Sequence, residues 1–136
     1  MSDPEPDRLR LEWVPGRFAV CRLGADEGVP DWAVASGSPG LLSVTRTDRE
    51  LSIVADEDRV PASTCAERGW VALRVAGTLD FGLVGVLSVL TGALAAAGVS
   101  VFAVSTYDTD ILLVKATDSV RAIEALGAVA DVGRLS

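Results

Sequence analysis

The feature that most constrains this chain is the way its hydropathy period changes along residues 70–135. Val71, Leu73 and Val75 recur at every second position, which predicts a strand over 70–76 with those three on one face. Gly77-Thr-Leu-Asp-Phe-Gly82 breaks that pattern with two glycines and offers Asp80 as a helix N-cap. From 83 to 97 the apolar residues fall at helical spacing. Leu83, Leu87, Leu90 and Leu94 make one stripe, widened by Val86, Ala93 and Ala97. Gly98 is the expected left-handed stop. A β-branched and aromatic run at 99–106 predicts a second strand, and 111–115 a third. The polar Tyr107-Asp-Thr-Asp110 joins them as an antiparallel hairpin. Asp118 or Ser119 caps a second helix with Val120, Ile123 and Leu126 on one face. Gly127 closes it, and a short strand within 129–135 rejoins the sheet.

Strand, helix, strand, strand, helix, strand is the split βαβ, or ferredoxin-like, plan: an α+β fold with both helices on one face of an antiparallel sheet. The first half predicts strands over 9–14, 18–23, 41–47 and 51–55, with short helices at 30–35 and from Pro61. Its hairpin, LSVTRT–DRE–LSIVA, parallels FAVST–YDT–DILLVK in the second half, a weak internal repeat. The expected organisation is a polar, disordered stretch over 1–8, a first unit with reduced helices over 9–65, and a second unit over 66–136. One such unit buries a marginal core, so pairing within the chain or as a homodimer is expected.

Composition narrows the chemistry. The 136-residue chain carries a net charge of −7, with one lysine and scattered arginines. It lacks the cationic patch through which proteins release counterions from nucleic acid, so neither nucleic acid nor an anionic membrane is an expected partner. The start lacks a basic-then-apolar leader, and glycines and a strand-like run interrupt the apolar stretch over 81–104, so a cytoplasmic protein is expected. There is no histidine, and the two cysteines, Cys21 and Cys65, are far apart in sequence. Two free buried thiols are expected, with no metal and no cofactor. No nucleophile elbow, phosphate loop or metal cluster points to an enzyme.

The runs WVALRVAGTLDFGLVGVL and AAAGVSVFAVSTYDTDILLVK, with SVTRTDRELSIVAD at 43–56, resemble the small bacterial tandem-ACT proteins, which are similar to the CASTOR-type amino-acid sensors. The resemblance spans roughly residues 18–126. It implies paired ferredoxin-like units and an amino acid bound at an interface between them, and it implies no catalysis. The implied role is a regulatory sensor that signals to a separate, unidentified effector protein.

An amino acid presents a carboxylate, an ammonium and a side chain. The glycine-flanked start of the first long helix suits the carboxylate, through free backbone N–H groups and the positive dipole end. Gly77, Leu79, Asp80, Phe81 and Gly82 are the candidates there. Asp80 also reads as a plain N-cap, and Phe81 as core. Ser105, Thr106 and Asp110 are candidates on the second hairpin, where turn chemistry alone also favours such residues; the resemblance is what raises Asp110. Ser43 and Thr45, projecting from one side of a strand, are candidates in the first unit, with edge hydrogen bonding as the plainer explanation. Asp80 and Asp110 suit an ammonium or a cationic side chain. The rival reading is a dimerisation or protein-interaction module that binds no ligand.

Overall fold

The computed structural model describes residues 9–34, 40–76 and 85–134. Contacts divide the chain into a middle unit, Val14–Val71, and a bipartite unit, Met1–Trp13 with Ala72–Ser136. The boundary falls inside two strands, β1 (Leu9–Leu23) and β4 (Ala66–Ala76). The fold is α+β of the ferredoxin type.

In the middle unit β1 continues into α1 (Asp31–Val34), β2 (Ser43–Arg46), β3 (Leu51–Asp56), a 3-10 turn at Glu57–Arg59, and β4. The strand order β2-β3-β1-β4 places the first and third strands at the centre, as the split βαβ plan requires. β3 runs antiparallel to both neighbours, in register Cys21↔Ile53 with β1 and Val44↔Ile53 with β2. Ala19, Cys21, Leu51, Ile53, Ala55 and Val60 form the core with Ala33 of α1, and Trp32 packs against it. The helix expected from Pro61 does not form. The chain makes only a turn there, with Thr64 N donating to Pro61 O at 3.0 Å, because the Arg68 guanidinium already holds the carbonyls of Val60 and Pro61.

The strands expected at 9–14 and 18–23 are one continuous strand of 15 residues. Pro15 removes a ladder donor, and Gly16 absorbs the local distortion at φ 102° instead of ending the strand. Gly40 passes close by: a Cβ there would lie 2.8 Å from the Pro15 carbonyl oxygen, so the approach requires glycine.

The bipartite unit contains β4, α2 (Val86–Ala96), β5 (Val101–Ser105), β6 (Asp110–Lys115), α3 (Ser119–Gly127) and β7 (Ala130–Val132). Its strand order is β7-β1-β4-β6-β5. The last strand thus rejoins the sheet against β1, in parallel with Leu9↔Ala130, and not against β4. Trp13 Nε1 donates to Gly133 O at 2.8 Å and fixes that end. All four residues from Ile111 to Val114 are buried, so both faces of β6 are covered.

α2 stops as expected. Val99 N donates to Leu94 O (2.9 Å) and Gly98 N to Ala95 O (3.0 Å), with Gly98 at φ 73°; this is the Schellman pattern, closed by the buried Leu94 and Val99. Arg121 of α3 donates to Ala97 O at 3.4 Å, bringing a cation to the negative end of α2. Asp118 occupies the N-cap position of α3, but its carboxylate bonds Arg121 Nη2 at 2.6 Å and not the helix amides.

Candidate functional site

The hairpin between β5 and β6 brings together three of the residues singled out by sequence. Ser105 and Asp110 are directly opposed across the ladder. Opposed positions put their side chains on the same face, and the Ser105 hydroxyl donates to Asp110 Oδ1 at 2.6 Å. Asp110 is half-buried and Ser105 exposed. Thr106 closes the turn: its N–H donates to Thr109 O at 2.8 Å, and its hydroxyl oxygen accepts from Thr109 N at 3.2 Å.

Thr109, which sequence reasoning did not single out, donates its hydroxyl to Val75 O at 2.7 Å and ties the turn to β4. A threonine in a polar turn carries no sequence signal that names a partner 34 residues away.

Ser43 and Thr45 lie on β2, opposite Val54 and Ser52 of β3. Alternate positions share a face, so both project from one side as expected. Ser43 is half-buried and Thr45 exposed. The β2–β3 turn copies the other: Thr47 N donates to Glu50 O at 2.9 Å, and Glu50 N donates to Thr47 Oγ1 at 3.2 Å.

Gly77, Leu79, Asp80, Phe81 and Gly82 lie outside the described residues. The N-cap expected at Asp80 falls instead at Gly85, in the left-handed region at φ 88°. Only a residue without Cβ takes that conformation readily, which is why the glycine, five positions further on, starts the helix. Gly85 at the N-cap has no side chain with which to cap the first turn of α2.

Both cysteines are free, but only Cys21 is buried; Cys65 is exposed, contrary to the expectation of two buried thiols. Cys65 lies just before β4, where its carbonyl accepts from Arg22 N at 3.0 Å. Burial pushes the Cys21 thiol above its ordinary range, with Arg68 opposing and Cys65 adding to the shift. Among the described residues no group of three His, Cys, Asp or Glu is placed to hold a metal ion, and no helix is long and apolar enough to cross a membrane.

A family model described as ACT domain matches residues 66–128, and a second model, of an N-terminal domain, matches 16–63. The structure is similar to that of protein Atu0741 from Agrobacterium tumefaciens, with 32% identity, TM-score 0.87 and coverage of 95% of each chain. It is also similar to VC0802 from Vibrio cholerae, described as a protein of unknown function and possible transport protein, at 19% identity, TM-score 0.74 and 92% of each chain. The regulatory subunit of aspartate kinase from Thermus thermophilus, in its ligand-free form, shares the fold at 12% identity and TM-score 0.59, over 84% of this chain and 93% of that one. No curated protein matches the chain.

Proposed function

This chain is a small ACT-domain protein, and on that premise we propose that it is a non-catalytic regulatory module that binds a free amino acid. The observation that carries the reading is the half-buried Asp110 carboxylate, held by Ser105 at 2.6 Å on the β5–β6 hairpin. An anchored carboxylate is a natural acceptor for the ammonium that every amino acid carries. The start of α2, with a glycine at its N-cap, presents backbone amides of the kind that receive the other end, a carboxylate. The likeness of fold to a regulatory subunit of aspartate kinase supports a regulatory role. The signal passes to a separate effector protein, and the setting is the cytoplasm.

Self-association belongs to the same reading. The outward positions of α2, Ser88, Val89, Gly92, Ala95 and Ala96, are exposed and uncharged, with Val89 47% exposed. A second copy meets no like charge there, although the chain carries −7 overall. Light scattering on the purified chain reads the assembly.

A thermal-shift screen of the common L-amino acids tests the ligand. Ligand at a hundred times its Kd adds about 2.7 kcal/mol, which raises Tm by about 5–15 °C for a chain of this size. No shift with any amino acid at millimolar concentration overturns the reading.

A further inference from the structure

The two hairpins serve as controls for one another. Thr47 and Thr106 close their turns with the same pair of bonds, an N–H to the carbonyl three residues on and a hydroxyl accepting from that residue's N–H. Closing the turn therefore asks for the threonine. The residues flanking it differ. Where the 106–109 turn is flanked by Ser105 and Asp110, the 47–50 turn is flanked by Arg46 and Leu51. Leu51 is wholly buried, and Arg46 directs its guanidinium to the carbonyls of Ala25 and Glu27. A carboxylate at position 110 is thus no requirement of the hairpin.

Nor is that carboxylate loosely placed. Ser105 donates to Oδ1 at 2.6 Å, a charge-assisted bond. Thr109 anchors the backbone immediately before Asp110 to Val75 O at 2.7 Å. Glu50, the matching residue of the other turn, instead makes an ion pair with Arg22 at 3.3 Å. Asp110 Oδ2 has no hydrogen bond or ion pair among the described residues.

We propose that Ser105 and Thr109 are positioning residues that hold Asp110 in one rotamer and present Oδ2 to a compact ammonium group of the ligand. A guanidinium fork takes both oxygens of a carboxylate, whereas an ammonium is a point charge satisfied by one. Ser105 takes one acceptor site of Oδ1, and Oδ2 is the oxygen with no bond to any described residue; an ammonium needs no more than that one. The inference rests on the amino-acid-binding reading above and assigns the group that Asp110 receives and the residues that aim it.

The first measurement needs no ligand. NMR Hα–Hβ couplings of Asp110 in the full chain report its rotamer in the wild type and in Ser105→Ala, Ser105→Thr, Thr109→Val and Thr109→Ser. One rotamer is expected in the wild type, averaging in Ser105→Ala and Thr109→Val, and recovery in the two hydroxyl-keeping variants. The second measurement is a thermal shift with a mixture of the common L-amino acids. Ser105→Ala is expected to weaken apparent affinity roughly tenfold with unliganded Tm unchanged, and Ser105→Thr to restore it; a merely structural role would move Tm instead. Averaged couplings in the wild type, or couplings untouched in Ser105→Ala, overturn the positioning. A rotamer released by Ser105→Ala in a wild type that no amino acid stabilises overturns the amino-acid reading and leaves the positioning standing.

Discussion

The middle and bipartite units share the split βαβ plan, with β1 inserted beside β7 in the second, but satisfy their backbones differently. In the bipartite unit α2 and α3, of 11 and 9 residues, pair most of their own N–H and C=O groups. Among its described residues the middle unit has one four-residue helix and a three-residue 3-10 turn in the same places. Its connecting chain is irregular, and irregular backbone must find partners elsewhere. Arginine supplies them: Arg46 holds Ala25 O and Glu27 O, and Arg68 holds Val60 O and Pro61 O. Glu57 accepts from Gly69 N at 2.7 Å in the reverse sense. Side chains can thus do for a loop what a helix does for itself, at the cost of ordering long side chains.

The comparison breaks most readily at the cores. Phe18 in the middle unit and Leu94 in α2 are both wholly buried. Phe18→Ala should lose about 3–5 kcal/mol and Leu94→Ala about 2–5 kcal/mol, measured by urea denaturation. A loss near zero at Phe18 would mean that the clamps, and not the core, sustain the middle unit.

A smaller effect sharpens the contrast between clamp and cap. Arg68→Ala leaves two loop carbonyls unpaired and should cost about 1–2 kcal/mol, with faster hydrogen exchange over residues 57–65. Arg121→Ala removes a helix-end contact and an ion pair with Asp118, and should cost about 0.3–1 kcal/mol. Equal losses would erase the distinction.

The smallest effect concerns the buried thiol of the middle unit. Burial raises the Cys21 thiol above 9.0, the value it takes when unperturbed. The unfolded chain therefore loses that proton first, so it binds fewer protons than the native state and stability falls as pH rises. The contribution is whole below about pH 9 and is lost as pH climbs through the folded value. Tm from neutral to alkaline pH should decline more steeply in the wild type than in Cys21→Val. A thiol reagent should label Cys65 in the native protein and Cys21 only on unfolding.

Much of this was legible in the sequence, and the rest was not for identifiable reasons. The stripe through Leu87, Leu90 and Leu94 and the stop at Gly98 gave α2, because period and cap are local. The two threonine-closed hairpins were likewise visible as a repeat. The passage of β1 through Pro15-Gly16 was hidden, since both residues usually end a strand. The place of β1 between β7 and β4 was hidden because nothing local couples the two ends of the chain. At the site, Ser105 was a candidate from its type and Asp110 through the family resemblance, but the aim of Ser105 at Oδ1 and the tie from Thr109 to Val75 depend on packing that a linear reading does not contain.

The insertion of β1 beside β7 also bears on how the molecule is made. Trp13 and its partner Gly133 are 120 residues apart, so the bipartite sheet cannot close until β7 has been synthesised and has left the ribosome. The middle unit, whose strands are near neighbours, can assemble earlier and wait. Closing so long a loop adds little free-energy penalty per added residue, but contacts of such separation slow the search. The pairing of β1 with β7 is then a late step of folding, and until that moment the edge of β1 stays open to any other nascent copy.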